Sequence, residues 1–225
     1  AVRAIAFSAV GTAGQRCTTL RRLFVHEDIA EALLDRLERA YGSLSIGDPR
    51  EESTLVGPLI DRPSYEAFCD ALRRAAEAGG QVFGGGRALA DERPDAYYAR
   101  PALVRMPRQS SVVREETFAP ILYAMTYTEL DEAIALENQN PYGNAAAIFT
   151  TNGGVARYAI ERFSAGMCGV NIGVPVPREP FAFGGWNDSK FGHGDITGQD
   201  GFRFWTRPRK VTARWEMASD ATWMS

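Results

Sequence analysis

Histidine and cysteine are scarce in this chain of 225 residues, which holds two of the first and three of the second. His26 and His193 lie far apart, and Cys17, Cys69 and Cys168 form no Cys-x-x-Cys pair. Both facts argue against a zinc site, which needs clustered ligands, so no metal is expected. A disulfide framework would use more cysteines in a much shorter chain. Isolated thiols fit a reducing compartment, and the expected location is cytoplasmic. No apolar run is long enough to span a bilayer, so no membrane partner is expected. An excess of positive charge is also missing. Lys plus Arg is 25 against 28 Asp plus Glu, a net charge of -3, and no nucleic-acid partner is expected. Neither Gly-x-Gly-x-x-Gly nor a Walker A pattern occurs. Gly11-x-x-Gly14 and Gly84-Gly85-Gly86 match neither, so the chain has no dinucleotide-binding fingerprint of its own. It begins at Ala1 rather than Met, which fits a processed product or a piece of a longer chain.

What is present is an ordinary globular composition, 45% hydrophobic and 24% charged. Residues 1–10 are small and apolar, like the end of a buried helix. Leu20 to Val25 reads as a strand. Ile29, Leu33, Leu37, Tyr41 and Leu44 are spaced along one helical face. A second helix is expected from Pro63 to Ala78, closed by Gly79-Gly80. Strands follow at 97–104 and 121–127, then a helix carrying Leu130, Ile134 and Leu136. Ala145–Phe149, Val155–Phe163 and Met167–Ile172 continue the alternation as strand, helix and strand. This order predicts an α/β fold, a mainly parallel sheet with helical crossovers. A last alternating stretch, Lys210 to Trp215, reads as a lone strand that pairs with another domain or another subunit.

Cys17 is the first candidate for chemistry. It follows Gly14-Gln15-Arg16, where small residues allow close backbone approach and a neighbouring cation favours a thiolate. On composition alone an inert buried cysteine is the better account of Cys17. Cys69 and Cys168 read as structural. A Cys–His hydrolase built on Cys17 and His193 lacks the surroundings of the known thiol proteases. In Glu115-Glu116-Thr117-Phe118-Ala119-Pro120, an acid and a ring precede a strand. A carboxylate there can accept hydrogen bonds from ribose hydroxyls, although taken alone a charged turn with a core phenylalanine is the better account of the segment.

Taken together, Gly14-Gln15-Arg16-Cys17, Glu115 to Pro120, Asn140-Pro141-Tyr142-Gly143 and Phe183-Gly184-Gly185-Trp186 resemble the NAD(P)-dependent aldehyde dehydrogenase superfamily. The likeness covers nearly the whole chain and corresponds to the C-terminal, catalytic half of such enzymes. It implies that Cys17 is the nucleophile, forming a thiohemiacetal and then a thioester. It implies NAD as cofactor, with NADP as the alternative and coenzyme A as a further acyl acceptor. Glu116 matches the carboxylate that holds the nicotinamide ribose, and Phe118 the aromatic beside that ring. Asn171 matches an asparagine for which a structural role is expected.

Residues 7–127 look most like aminoadipic-semialdehyde (piperideine-6-carboxylate) dehydrogenases. From Asn140 onward the likeness shifts to methylmalonate- and malonate-semialdehyde dehydrogenases, which are preferred. Phe191-Gly192-His193-Gly194-Asp195 stands where relatives carry Gly-x-Gly-Arg-Glu. Both groups oxidise aldehydes bearing a carboxylate, and Arg16, Arg178 and Phe183 are the candidate substrate contacts. The resemblance divides the chain into a catalytic domain at 1–190 and a tail at 191–225 with the oligomerisation strand. It implies a small aldehyde substrate and a homo-oligomer, dimer or tetramer. The cofactor domain, with the general-base glutamate and an oxyanion asparagine, would precede Ala1, so this piece alone is expected to lack normal turnover. A non-catalytic assembly domain and a cofactor-independent thiol esterase acting through Cys17 are the competing readings.

Overall fold

The computed structural model describes residues 1–215. The chain opens with helix α1 (Val2–Val10), which buries Ile5, Ala6, Ser8, Ala9 and Val10, followed by a tight turn over Gly11–Gly14. Strand β1 (Arg22–His26) leads into α2 (Glu27–Gly42). After a long connection comes α3 (Arg62–Glu77), whose first turn is capped by Asp61 accepting from the Ser64 N–H at 2.8 Å. This is a side-chain answer to an orphan helix donor. The short strands β2 (Gln81–Gly84), β3 (Arg87–Ala88), β4 (Tyr98–Ala99) and β5 (Ala102–Arg105) follow. Then come a single helical turn α4 (Ser111–Arg114), β6 (Ile121–Tyr127) and α5 (Leu130–Asn138). The last part holds β7 (Tyr142–Gly143), β8 (Ala145–Ile148), α6 (Gly153–Ile160), β9 (Met167–Val170), β10 (Trp186–Asn187) and α7 (Gly198–Trp205).

The main sheet runs β1-β6-β5-β2. Two of its pairs, β1 with β6 and β6 with β5, are parallel, and β2 joins β5 antiparallel. The register sets Phe24 beside Met125 and Leu103 beside Leu122. Ile121 to Met125 are buried without alternation, as a central strand covered on both faces should be. Ile5, Leu37, Phe68, Leu103 and Leu122 are fully buried around it. Strands β8 and β9 pair in parallel, and β7 pairs with β10 antiparallel. Arg22 at the start of β1 pairs with Glu137 at the end of α5 at 2.7 Å, and Gln109 accepts from the same guanidinium at 2.8 Å. This pair ties the β6–α5 unit to the sheet edge.

The α/β class and the mainly parallel sheet agree with the reading from sequence. Several boundaries differ. The expected strand over 97–104 is interrupted at Arg100-Pro101, because proline cannot donate to a ladder. The helix expected over 155–163 begins earlier, at Gly153, since the Asn152 side chain caps it from just outside. Lys210 to Trp215 forms no strand among the described residues. Residues 206–215 are exposed and without regular secondary structure. Cys69 and Cys168, read as structural, are exposed rather than packed in the core. Cys69 falls on the outer side of α3, whose buried face is Phe68, Ala71 and Ala75. No helix among the described residues is long and apolar enough to cross a membrane.

The fully buried Leu122 at the sheet centre gives a direct check. Leu122→Ala should lower unfolding free energy by about 2–5 kcal/mol in denaturant titration, with a cooperative transition retained.

Candidate active site

The turn after α1 is built on three successive residues in the left-handed region. Thr12, Ala13 and Gly14 have φ of 55°, 52° and 71°. Gly14 permits what no other residue would. A Cβ there would lie 2.1 Å from the Ala119 carbonyl oxygen and 2.6 Å from the Pro120 nitrogen. The loop carrying Cys17 therefore lies directly on the backbone that leads into β6. Gln15 fixes the loop from the other side. Its Oε1 accepts from the Ile60 N–H at 3.0 Å, and its Nε2 donates to the Pro58 carbonyl at 3.3 Å. The Thr19 N–H donates to the Arg16 carbonyl, and the Arg16 N–H donates to Thr19 Oγ1, both at 3.1 Å, which closes a tight turn around Cys17.

Cys17 is exposed at a cavity of about 810 Å³. Asn144 Nδ2 donates to the Cys17 carbonyl at 2.9 Å. The Cys17 backbone N–H has no acceptor among the described residues. Arg21, Glu116, Asn144, Phe183 and Gly185 line the same cavity.

The two adjacent acids have separate partners. Glu115 is held in fork geometry by Arg74 of α3, with N–O distances of 2.6 and 2.7 Å. These charge-assisted bonds hold its carboxyl below the usual carboxylate range. Glu116 turns towards Arg21, whose Nε lies 3.3 Å from Oε1, and its side chain remains 41% exposed. Glu115 anchors the segment through Arg74, and both residues lie in the lining of the cavity.

The remaining two segments meet the site through close backbone contact. A Cβ at Gly185 would lie 3.0 Å from the Asn144 Cα, and one at Gly184 would lie 1.9 Å from Asp195 Oδ1. The glycine pair thus lets the Phe183 segment pack on Asn144 and on Asp195. Lys190 Nζ pairs with Asp195 at 2.7 Å and keeps that loop closed. The Gly143 N–H donates to Ser189 Oγ at 3.1 Å, joining β7 to the same loop. Asn171 takes a structural position. Its amide accepts from the Thr150 N–H and donates to the Thr150 carbonyl, both at 2.9 Å, locking the ends of β8 and β9.

Of the candidates read from sequence, Cys17, Glu116 and Phe183 come together at the cavity. Phe118 is not among the lining residues. Its ring faces the Arg21 guanidinium, 4.8 Å from the ring centroid. Arg16 folds back along α1, with its guanidinium 5.1 Å from the Phe7 ring centroid and Nε on Thr12 Oγ1 at 3.0 Å. Arg178 is exposed and outside the cavity lining. Arg21 was missed by the sequence reading. A pair of arginines four and five residues after a cysteine carries no spacing signal, and only the fold shows that they diverge, Arg21 to the site and Arg22 to Glu137.

The aldehyde dehydrogenase family model matches residues 1–211. The chain belongs to the aldehyde dehydrogenase family. Malonate-semialdehyde dehydrogenase 1 of Geobacillus thermodenitrificans is 36% identical over 96% of this chain. Aldehyde dehydrogenase family 7 member A1 of Malus domestica is 39% identical over 94%. A Sinorhizobium meliloti protein solved in complex with NAD superposes with a TM-score of 0.90 at 29% identity over 96% of this chain. The chain spans 45% of the Geobacillus relative, 41% of the Malus relative and 45% of the Sinorhizobium chain. The aldehyde dehydrogenase likeness therefore extends over all four segments that meet at the cavity.

The Glu115–Arg74 pair predicts a signed pH dependence. Glu115 has a lowered pKa in the folded state, so its contribution is present above the unfolded carboxylate value and is lost as pH falls through the folded one. Glu115→Gln should show a small drop in Tm at pH 7. That drop should vanish in melts carried out below the carboxylate range.

Proposed function

We propose that the chain is the catalytic portion of an NAD-dependent semialdehyde dehydrogenase. Its substrate would be a small aldehyde carrying a carboxylate, methylmalonate or malonate semialdehyde. The observation that carries this reading is the convergence of Cys17 and Glu116 on one cavity, joined through Arg21.

Cys17, as a thiolate, adds to the aldehyde carbon to give a thiohemiacetal. Its own backbone N–H, which has no acceptor among the described residues, is available to the oxyanion that forms. NAD, held by Glu116 beside Phe118, would supply the acceptor for the hydride that the Cys17 adduct loses as it becomes a thioester. Water or the thiol of coenzyme A then takes the acyl group and frees Cys17. The residues present fit the cofactor. Glu116 Oε1 is engaged by Arg21, while Oε2 makes no hydrogen bond among the described residues and keeps its acceptor capacity for ribose hydroxyls. Phe118, held against Arg21, offers a half-exposed ring next to that carboxylate.

Arg16 is the proposed anchor for the substrate carboxylate. Among the described residues only its Nε is engaged, so both terminal nitrogens retain donors for a bidentate contact. Arg178 and Phe183 are the further proposed substrate contacts, from the loop before α7. Aminoadipic semialdehyde is the second substrate reading. The likeness of residues 14–26 and 114–123 to that group supports it, as does the 39% identity to the family 7 relative. Assembly into a homo-oligomer through Lys210 to Trp215 belongs to the same proposal, since that stretch is exposed and forms no strand among the described residues. Three free thiols support a reducing, cytoplasmic setting.

Two outcomes are expected with the complete gene product. Cys17→Ser should abolish NAD reduction with malonate semialdehyde, at least about 10³-fold. A variant that keeps its rate would remove the nucleophile assignment. Ester hydrolysis by the wild type without NAD, in the absence of any aldehyde oxidation, would favour the thiol esterase. Arg16→Leu should raise KM for malonate semialdehyde about tenfold or more relative to a neutral aldehyde of similar size. An equal change for both substrates would show that Arg16 does not read the carboxylate.

A further inference from the structure

Arg21 touches both halves of the site. Its Nη2 donates to the Gly14 carbonyl at 3.3 Å and to the Arg16 carbonyl at 3.2 Å, the two carbonyls of the loop that delivers Cys17. Its Nη1 donates to the Thr117 carbonyl, and its Nε faces Glu116 Oε1 at 3.3 Å. The Phe118 ring lies against the same guanidinium. The side chain is 14% exposed. Burial pulls its pKa below the ordinary arginine value, and the facing Glu116 carboxylate opposes this. A buried guanidinium is tolerated when its donors are satisfied, and here they are divided between the Glu116–Thr117 segment, 95 and 96 residues away, and the Gly14–Arg16 loop.

We propose that Arg21 is a positioning residue. Its planar fork sets the Cys17 loop and the Glu116–Phe118 segment in one fixed register, so that nucleophile and ribose carboxylate are held as a unit. The proposal rests on the reading of Cys17 as the nucleophile and Glu116 as the ribose contact. Arg21 itself is assigned no contact with substrate. Its shape matters as much as its charge. Four acceptors surround the guanidinium, which presents five N–H groups in a rigid fork to meet them. A lysine ammonium presents three donors from a single nitrogen and cannot span the same set.

Iodoacetamide alkylation tests this on the chain itself, followed at each cysteine by peptide mass spectrometry across a pH series. Cys69 and Cys168 serve as reference thiols in the same molecule. In the wild type, Cys17 should react faster than either reference at pH 7. Arg21→Gln should slow Cys17 about tenfold across the pH series, with the reference rates unchanged. Arg21→Lys should recover less than half of that loss. A merely structural arginine would change thermal stability and leave the Cys17 profile where it was. An unchanged Cys17 profile in Arg21→Gln overturns the proposal. So does full recovery in Arg21→Lys, since a point charge would then suffice. If Arg21→Gln fails to fold, Arg21→Lys decides alone. Cys17 slowed about threefold or more supports the fork, and a wild-type profile overturns it. The two levels separate cleanly. A wild-type Cys17 no faster than the references removes the nucleophile reading, and the proposal with it. A selective wild-type Cys17 that ignores Arg21 removes the proposal alone.

Discussion

Everything at the site depends on one close approach, that of Gly14 to the backbone of Ala119 and Pro120. The Cys17 loop comes from the end of a helix, while the acidic segment precedes the central strand of the sheet. They have no covalent reason to meet. A missing side chain lets the two backbones touch, and the contact is exacting because any Cβ would fall well inside contact distance. The polar contacts build on it. Gln15 ties the loop to Pro58–Ile60, Asn144 holds the Cys17 carbonyl, and the Gly184-Gly185 pair brings the Phe183 segment against Asn144.

The sheet supplies rigidity. Strand β6 is central and buried on both faces, and it begins immediately after Pro120. The acidic segment is thus the approach to the stiffest strand of the fold, and Arg74 on α3 clamps it from the helix layer through Glu115. Placing a functional group on the rim of a buried strand is a general way to gain precision without building the site on mobile loops. The two neighbouring carboxylates illustrate the division of labour. The same residue type one position apart is clamped by Arg74 of α3 at Glu115 and paired with Arg21 of the Cys17 side at Glu116.

Much of this was legible in the sequence, for identifiable reasons. Helical spacing marked α2 and α3 because an amphipathic face repeats every three to four residues. The continuous apolar run at Ile121–Met125 marked a buried strand. Cys17, Glu116 and Phe183 were found through the short segments around them, where glycine, proline and acids cluster for reasons of backbone geometry. Arg21 and the exposure of Cys69 were not legible. Both depend on which way a side chain turns once the chain has folded, and neither a lone cysteine on a helix nor a pair of arginines encodes that locally. The Lys210–Trp215 alternation forms no strand among the described residues, since a strand exists only by pairing.

Thr12 and Ala13 carry a different implication. Both sit at positive φ with side chains in place, a conformation that costs of the order of 1–3 kcal/mol at each non-glycine residue. Glycine at either position would relieve that cost, but it would also widen the range of shapes open to the unfolded chain and to the loop itself. The loop is therefore a place where relaxing the native state and keeping it stiff pull in opposite directions. Any effort to raise the melting temperature by relaxing strained residues would meet its first conflict four residues upstream of Cys17.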